Sequence, residues 1–156
     1  MSLHVGTSGF GYEEWRGSFY PADLKKDGML PFYAERLPAV ELNNTFYRMP
    51  NAATVAKWRG QVPATFRFVV KAPQRLSYGQ RLRDCAEPLQ RLATALTPLG
   101  DTLGCVFVQV PKWVPKDLDA LREFLSLVPP QWRVAFEFAA PSWFEPDSLE
   151  VLRTFA

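Results

Sequence analysis

The residues best suited to chemistry in this chain are polar groups that close or interrupt apolar runs. They are Thr7 and Ser8, Glu41 and Asn43, Lys71, Gln109 and Glu137. Glu41 and Glu137 are candidates for general acid and base, because positioned carboxyl groups can give and take protons. Lys71 is suited to holding a carboxylate or a phosphate, and Asn43, Gln109 and Thr7 to orienting a substrate. Glu41 and Asn43 fall on one side of an extended strand by its period of two. The competing reading is a structural ion-pair network of Glu41, Lys71 and Glu137, since an unpartnered buried charge costs several kcal/mol. The run Gly6-Thr7-Ser8-Gly9-Phe10-Gly11 lacks the glycine spacing of a dinucleotide fingerprint and the Lys-Ser/Thr of a P-loop. It is read instead as a strand-end loop whose backbone N–H groups, beside Ser8, can approach an anion. Phe10, Tyr12, Phe46 and Tyr47 also follow strand ends, where a ring can stack on a sugar or a base.

His4 is the only histidine, which excludes a histidine-based triad and a histidine-rich metal centre. A carboxylate-only magnesium site on Glu41 and Glu137 stays open, but nothing calls for a cofactor. Cys85 and Cys105 are the only cysteines and form no C-x-x-C pair, so both are expected as free, buried thiols.

These residues need a scaffold, and the chain supplies strand and helix signals in alternation. The strand candidates are 3–7, 39–43, 66–71, 105–110 and 133–138, the third and fourth stopped by Pro73 and Pro111. Helical periodicity predicts helices near 29–36, at 52–59 with Asn51 as N-cap, at about 80–96, from Leu118 to Val128, and from Leu149 onward. Five alternations make a parallel sheet with crossover helices, and near-continuous apolar strands fit a covered sheet. An open doubly wound sheet fits 156 residues without a missing part. A closed eight-fold barrel needs roughly 250 residues, so this chain would supply about five of its eight βα units, as a single truncated domain. Either architecture places ligands at the carboxyl ends of the strands.

Composition narrows the class. Hydrophobic residues at 47% and charged residues at 22% exclude a disordered chain. No apolar run approaches the roughly 20 residues of a membrane helix. The start of the chain lacks the features of a signal peptide, which makes the cytoplasm the expected location. The net charge is only +2, yet no Asp or Glu occurs from Arg48 to Arg83, a stretch with eight basic residues. That stretch suggests either several solvated faces or a surface for an anionic ligand.

The strand-end blocks also carry a resemblance. Val5-Gly6-Thr7-Ser8-Gly9-Phe10-Gly11-Tyr12, with Trp15-Arg16-Gly17 and Phe19-Tyr20-Pro21, resembles the opening of the YecE-like family of unassigned function. Val40-Glu41-Leu42-Asn43-Asn44-Thr45-Phe46-Tyr47-Arg48 is similar to its second and most specific block. Phe68 to Pro73, Val108 to Pro111, and Phe136 to Phe138 followed by Pro141-Ser142-Trp143-Phe144 match three later blocks. The resemblance covers essentially the whole chain. It implies a parallel (β/α)8 barrel type, here incomplete, and no assigned reaction. Tyr47 and Arg48, within the second block, join the candidate substrate contacts. The chain departs from the family pattern at Ala139-Ala140, where relatives have Arg-His, and at Ser77-Tyr78, where relatives have Thr-His. Both departures remove groups suited to anion binding or proton transfer.

Three functions follow as expectations. The first is an enzyme (a hydrolase, lyase or isomerase) acting on a phosphorylated sugar or nucleic acid. The second is a non-catalytic nucleic-acid-binding module. The third is an inactive truncated barrel whose open sheet edges call for a partner, such as a second copy.

Overall fold

A computed structural model describes residues 3–155. Five parallel strands form one sheet in the order β1-β2-β3-β4-β5. They are β1 (Gly6–Ser8), β2 (Ala39–Leu42), β3 (Arg67–Lys71), β4 (Leu103–Val110) and β5 (Val134–Phe138). Among the described residues, six α-helices lie between and after them: α1 (Met29–Ala34), α2 (Asn44–Tyr47), α3 (Ala52–Gly60), α4 (Ala86–Leu96), α5 (Leu118–Leu127) and α6 (Pro146–Thr154). A doubly wound sheet reverses its strand order at a switch point. Here the order is strictly sequential, as in an arc of a (β/α)8 barrel, and the sheet is open.

The burial pattern separates the two faces. Val40, Leu42, Phe68, Val70, Val106, Val108 and Val110 are buried under the helices. Their alternate neighbours Glu41, Val69, Lys71, Cys105, Phe107 and Gln109 are half-exposed on the other face. Strand registers join Ser8 to Glu41, Glu41 to Val69, Lys71 to Phe107, and Gln109 to Glu137. Register slips by one residue of β4 between Phe68 and Val69, at Gly104. Such a bulge resets the alternation, and beyond it Cys105, Phe107 and Gln109 share the face of Val69 and Lys71.

Local chemistry explains the joints. Gly6 lies so close to β2 that a Cβ would sit 2.0 Å from the Ala39 carbonyl oxygen. The buried Tyr33 hydroxyl donates to that oxygen at 2.8 Å and accepts from the Thr7 N–H at 2.8 Å, pinning β1 to β2. Asn51 caps α3 by accepting from Thr54 N–H at 2.8 Å, as its position before the apolar run predicted. Asp117 caps α5 in the same way through Ala120 N–H at 3.0 Å. The two cysteines are free; Cys85 is buried and Cys105 half-buried.

The helix expected over 80–96 is a correction. α4 begins only at Ala86, and its Pro88 sits in the first turn, where a missing N–H costs no hydrogen bond. Before it come a π turn at Arg75–Gly79 and an irregular segment. Arg81, Leu82 and Asp84 there have φ of 50°, 69° and 50°. Leu82 keeps its apolar role, fully buried, from that segment rather than from a helix. β1 is likewise shorter than expected, with Leu3, His4 and Val5 exposed outside it. Among the described residues, no helix is long and apolar enough to cross a membrane.

Candidate functional site

The carboxyl ends of the strands bring most of the predicted polar groups to the uncovered face. On β2, Glu41 accepts a hydrogen bond from the Ser8 hydroxyl at 2.9 Å. Asn43, just beyond the strand, donates to the same hydroxyl oxygen at 2.6 Å. The result is a relay from Asn43 through Ser8 to Glu41. On β5, Glu137 accepts from the Gln109 amide at 2.9 Å. The Gln109 carbonyl oxygen in turn accepts from the Tyr78 hydroxyl at 3.3 Å. Each carboxylate is thus held by a two-residue chain of neutral donors.

Lys71 stands on β3, between these clusters in strand order. Its ammonium lies 4.9 Å from the centre of the Phe46 ring and 5.6 Å from that of Phe107. Rings attract a cation through their quadrupole, but weakly beside a full countercharge. The competing ion-pair network is not found: among the described residues, no ion pair involves Glu41, Lys71 or Glu137.

Other predicted residues are placed differently. Thr7 donates its hydroxyl to Gly9 O at 2.6 Å and lies 2.9 Å from the Tyr33 hydroxyl, so Ser8 rather than Thr7 reaches the uncovered face. Tyr12 donates to Ser8 O and packs on Trp15 with ring centres 4.8 Å apart. Phe10 is half-buried, 6.3 Å from the Tyr33 ring. Phe46 is buried and serves as a wall beneath Lys71 rather than as an open stacking surface. Tyr47 is exposed, as is Arg48.

The basic stretch is only partly neutralised. Lys57 pairs with Asp27, Arg83 pairs with Asp117, and Arg59 and Arg67 donate to backbone carbonyls. Arg48, Arg75 and Arg81 remain exposed with no carboxylate partner among the described residues.

Two residues escaped sequence reasoning. Tyr78, read only as a departure from the family resemblance, places its hydroxyl in the Glu137 relay. Trp113, three residues past the end of β4, is 55% exposed and edge-on to Tyr78 at 5.7 Å. The position of each after a strand-ending Pro was the available signal.

A cavity of about 1250 Å³ opens at the amino-terminal ends of the strands near Ala39, Arg67, Leu103 and Arg133. Parallel α/β sheets place their chemistry at the opposite end, where the carboxylates lie. Among the described residues, no three His, Cys, Asp or Glu side chains gather to hold a metal ion.

Comparison with known proteins agrees with the architecture. A DUF72 protein structure from Thermotoga maritima superposes with a TM-score of 0.82 at 28% identity, covering 97% of this chain and 61% of that one. One from Enterococcus faecalis shares the fold with a TM-score of 0.76 at 23% identity, covering 97% of this chain and 56% of that one. The chain is 33% identical to UPF0759 protein YecE of Escherichia coli over 72% of its own length and 42% of the relative's. It is 29% identical to UPF0759 protein YunF of Bacillus subtilis over 98% of its own length and 56% of the relative's. It spans about half the length of these curated relatives. The family model described as protein of unknown function DUF72 matches residues 4–156, and the chain belongs to that family.

Proposed function

We propose that the strand-end face is an active site for acid–base chemistry on a phosphorylated sugar or nucleic acid, of the hydrolase, lyase or isomerase kind. The observation that supports this reading is the state of the three charges. Glu41 and Glu137 are each held by neutral donors, and Lys71 faces rings, so none of them neutralises another. A structural network would have paired them. In this reading Lys71 takes the phosphate. One carboxylate removes a proton from the substrate and the other returns one, while Asn43–Ser8 and Tyr78–Gln109 hold them in place. Tyr47 and Arg48 add contacts at the rim.

A thermal-shift titration tests the site, because a ligand bound only by the native state raises its melting temperature. Inorganic phosphate, ribose 5-phosphate and a short single-stranded oligonucleotide are the probes, each at two salt concentrations. The expected result is stabilisation by ribose 5-phosphate that disappears in Lys71→Ala. No shift from any probe would sink the proposal. The exposed Arg48, Arg75 and Arg81 support a second reading, a nucleic-acid-binding module. A shift from the oligonucleotide alone, lost at high salt, would favour it.

A further inference from the structure

We propose that Trp113, Arg81 and Tyr78 form a stacking subsite for a flat heteroaromatic ring. The ligand of the strand-end site is then a nucleotide rather than a bare sugar phosphate. This inference rests on the phosphate-binding reading of that site.

Trp113 leaves 55% of its surface in solvent, although burying an indole is among the largest apolar gains a side chain offers. The ring is nevertheless held. Tyr78 meets its edge at 5.7 Å and 86°, and the Arg81 guanidinium lies over it, 5.7 Å from the ring centre. Two planar groups therefore share an exposed corner, one π-rich and one cationic.

The backbone that carries Arg81 is set for this placement. Arg81, Leu82 and Asp84 adopt left-handed conformations, which residues with a Cβ rarely take. The segment is anchored on both sides of Arg81. Tyr78 is bonded to Gln109, Leu82 is fully buried with its N–H on Leu76 O at 2.9 Å, and Arg83 is paired to Asp117. Strained backbone persists where the surroundings over-determine it, and such places cluster at ligand clamps.

At 5.7 Å Arg81 is near the outer limit, about 6 Å, of contact with a ring. Its unbranched stem can swing to admit one flat ring between guanidinium and indole. Bases stack on both aromatic side chains and Arg planes, whereas a puckered sugar matches neither flat wall. The position relative to the chemistry is also fitting. Tyr78 touches Trp113 and bonds Gln109, which bonds Glu137. Tyr78 also meets the Phe46 ring that lies under Lys71. A ring at Trp113 would thus leave its sugar near Glu137 and its phosphate toward Lys71.

Calorimetric titration of the whole chain with adenosine 5′-monophosphate and with ribose 5-phosphate separates the terms. The two probes share the ribose and the phosphate, the sugar phosphate carrying its anomeric hydroxyl where the nucleotide has the base. The expected result is about tenfold or more tighter binding of the nucleotide. Trp113→Ala and Arg81→Met should bring the nucleotide down to the level of the sugar phosphate, and Trp113→Phe should restore much of the advantage. Equal affinities in the unaltered chain would overturn the inference, as would a Trp113→Ala variant in which both ligands weaken together. Ribose 5-phosphate binding that depends on Lys71 but gains nothing from the base would refute the stacking subsite alone. If ribose 5-phosphate fails to bind, or binds regardless of Lys71→Ala, the strand-end reading fails and takes this inference with it.

Discussion

At the residue scale, the side chains divide into those that hold the sheet and those left free to act. Tyr33 belongs to the first group, because its one hydroxyl satisfies both Thr7 N–H and Ala39 C=O at a strand seam. Tyr33→Phe keeps the ring and orphans two backbone groups, at a cost of about 1–3 kcal/mol. Urea denaturation should show a lower midpoint with an unchanged slope. Cys85 is equally structural. Burial first, then the charges of Glu123 and Asp84, push its thiol up to about 12. A raised thiol pKa means that the native state favours the neutral form. Its contribution is complete below the ordinary thiol value of 9.0 and is lost as pH climbs toward 12. Native Cys85 should therefore resist iodoacetamide at pH 8, and label only when denaturant opens the chain. Rapid labelling of the folded protein would contradict its burial. The proposed acid–base role puts Glu41 and Glu137 in the second group. Under that proposal, Glu41→Gln and Glu137→Gln should each lower turnover of a substrate by about 100-fold or more, the usual contribution of an acid or base. Their melting temperatures should stay near that of the unaltered chain, since neither glutamate makes an ion pair.

At the element scale, caps and irregular turns do the positioning. Asp117 starts α5 and also receives Arg83 from the strained segment before α4. The Ala120 N–H bond first, with the Arg83 charge behind it, holds the Asp117 carboxyl below its ordinary value of 3.8. A depressed acid contributes stability that is present above pH 3.8 and fades as pH falls through the lower folded value. Asp117→Ala should cost about 1 kcal/mol at neutral pH. Asp117→Asn should keep most of the cap but weaken the acid dependence. Thermal melts from pH 7 to pH 2 distinguish the two variants. Identical acid limbs in the native chain and Asp117→Asn would show that Asp117 does not titrate as described.

For the whole molecule, the sheet has two outer strands, and β1 and β5 each pair on one side only among the described residues. Unpaired strand edges are templates for association. The 156-residue chain alone should show concentration-dependent self-association by light scattering, and a monomer at every concentration would show that the edges protect themselves.

The sequence by itself determined the class, the number of strands and the strand-end polar residues. Period-two alternation and the proline stops act locally, so β2, β3, β4 and β5 lie within a residue or two of the predicted runs. The resemblance carried the family, because its blocks sit on those same strand ends. Tertiary structure decided the rest. The segment from Gln80 to Cys85 reads as helix by its spacing, but Pro88 has no N–H to offer the carbonyl four residues back, and the chain there takes positive φ at Arg81, Leu82 and Asp84 while Leu82 is still buried. Which of Thr7 and Ser8 faces the site depended on Tyr33, 26 residues away from Thr7. The relay partners of Glu137 come from Gln109 and Tyr78, brought together only by strand pairing. No local pattern encodes such distant pairings, since they depend on register and packing across the sheet.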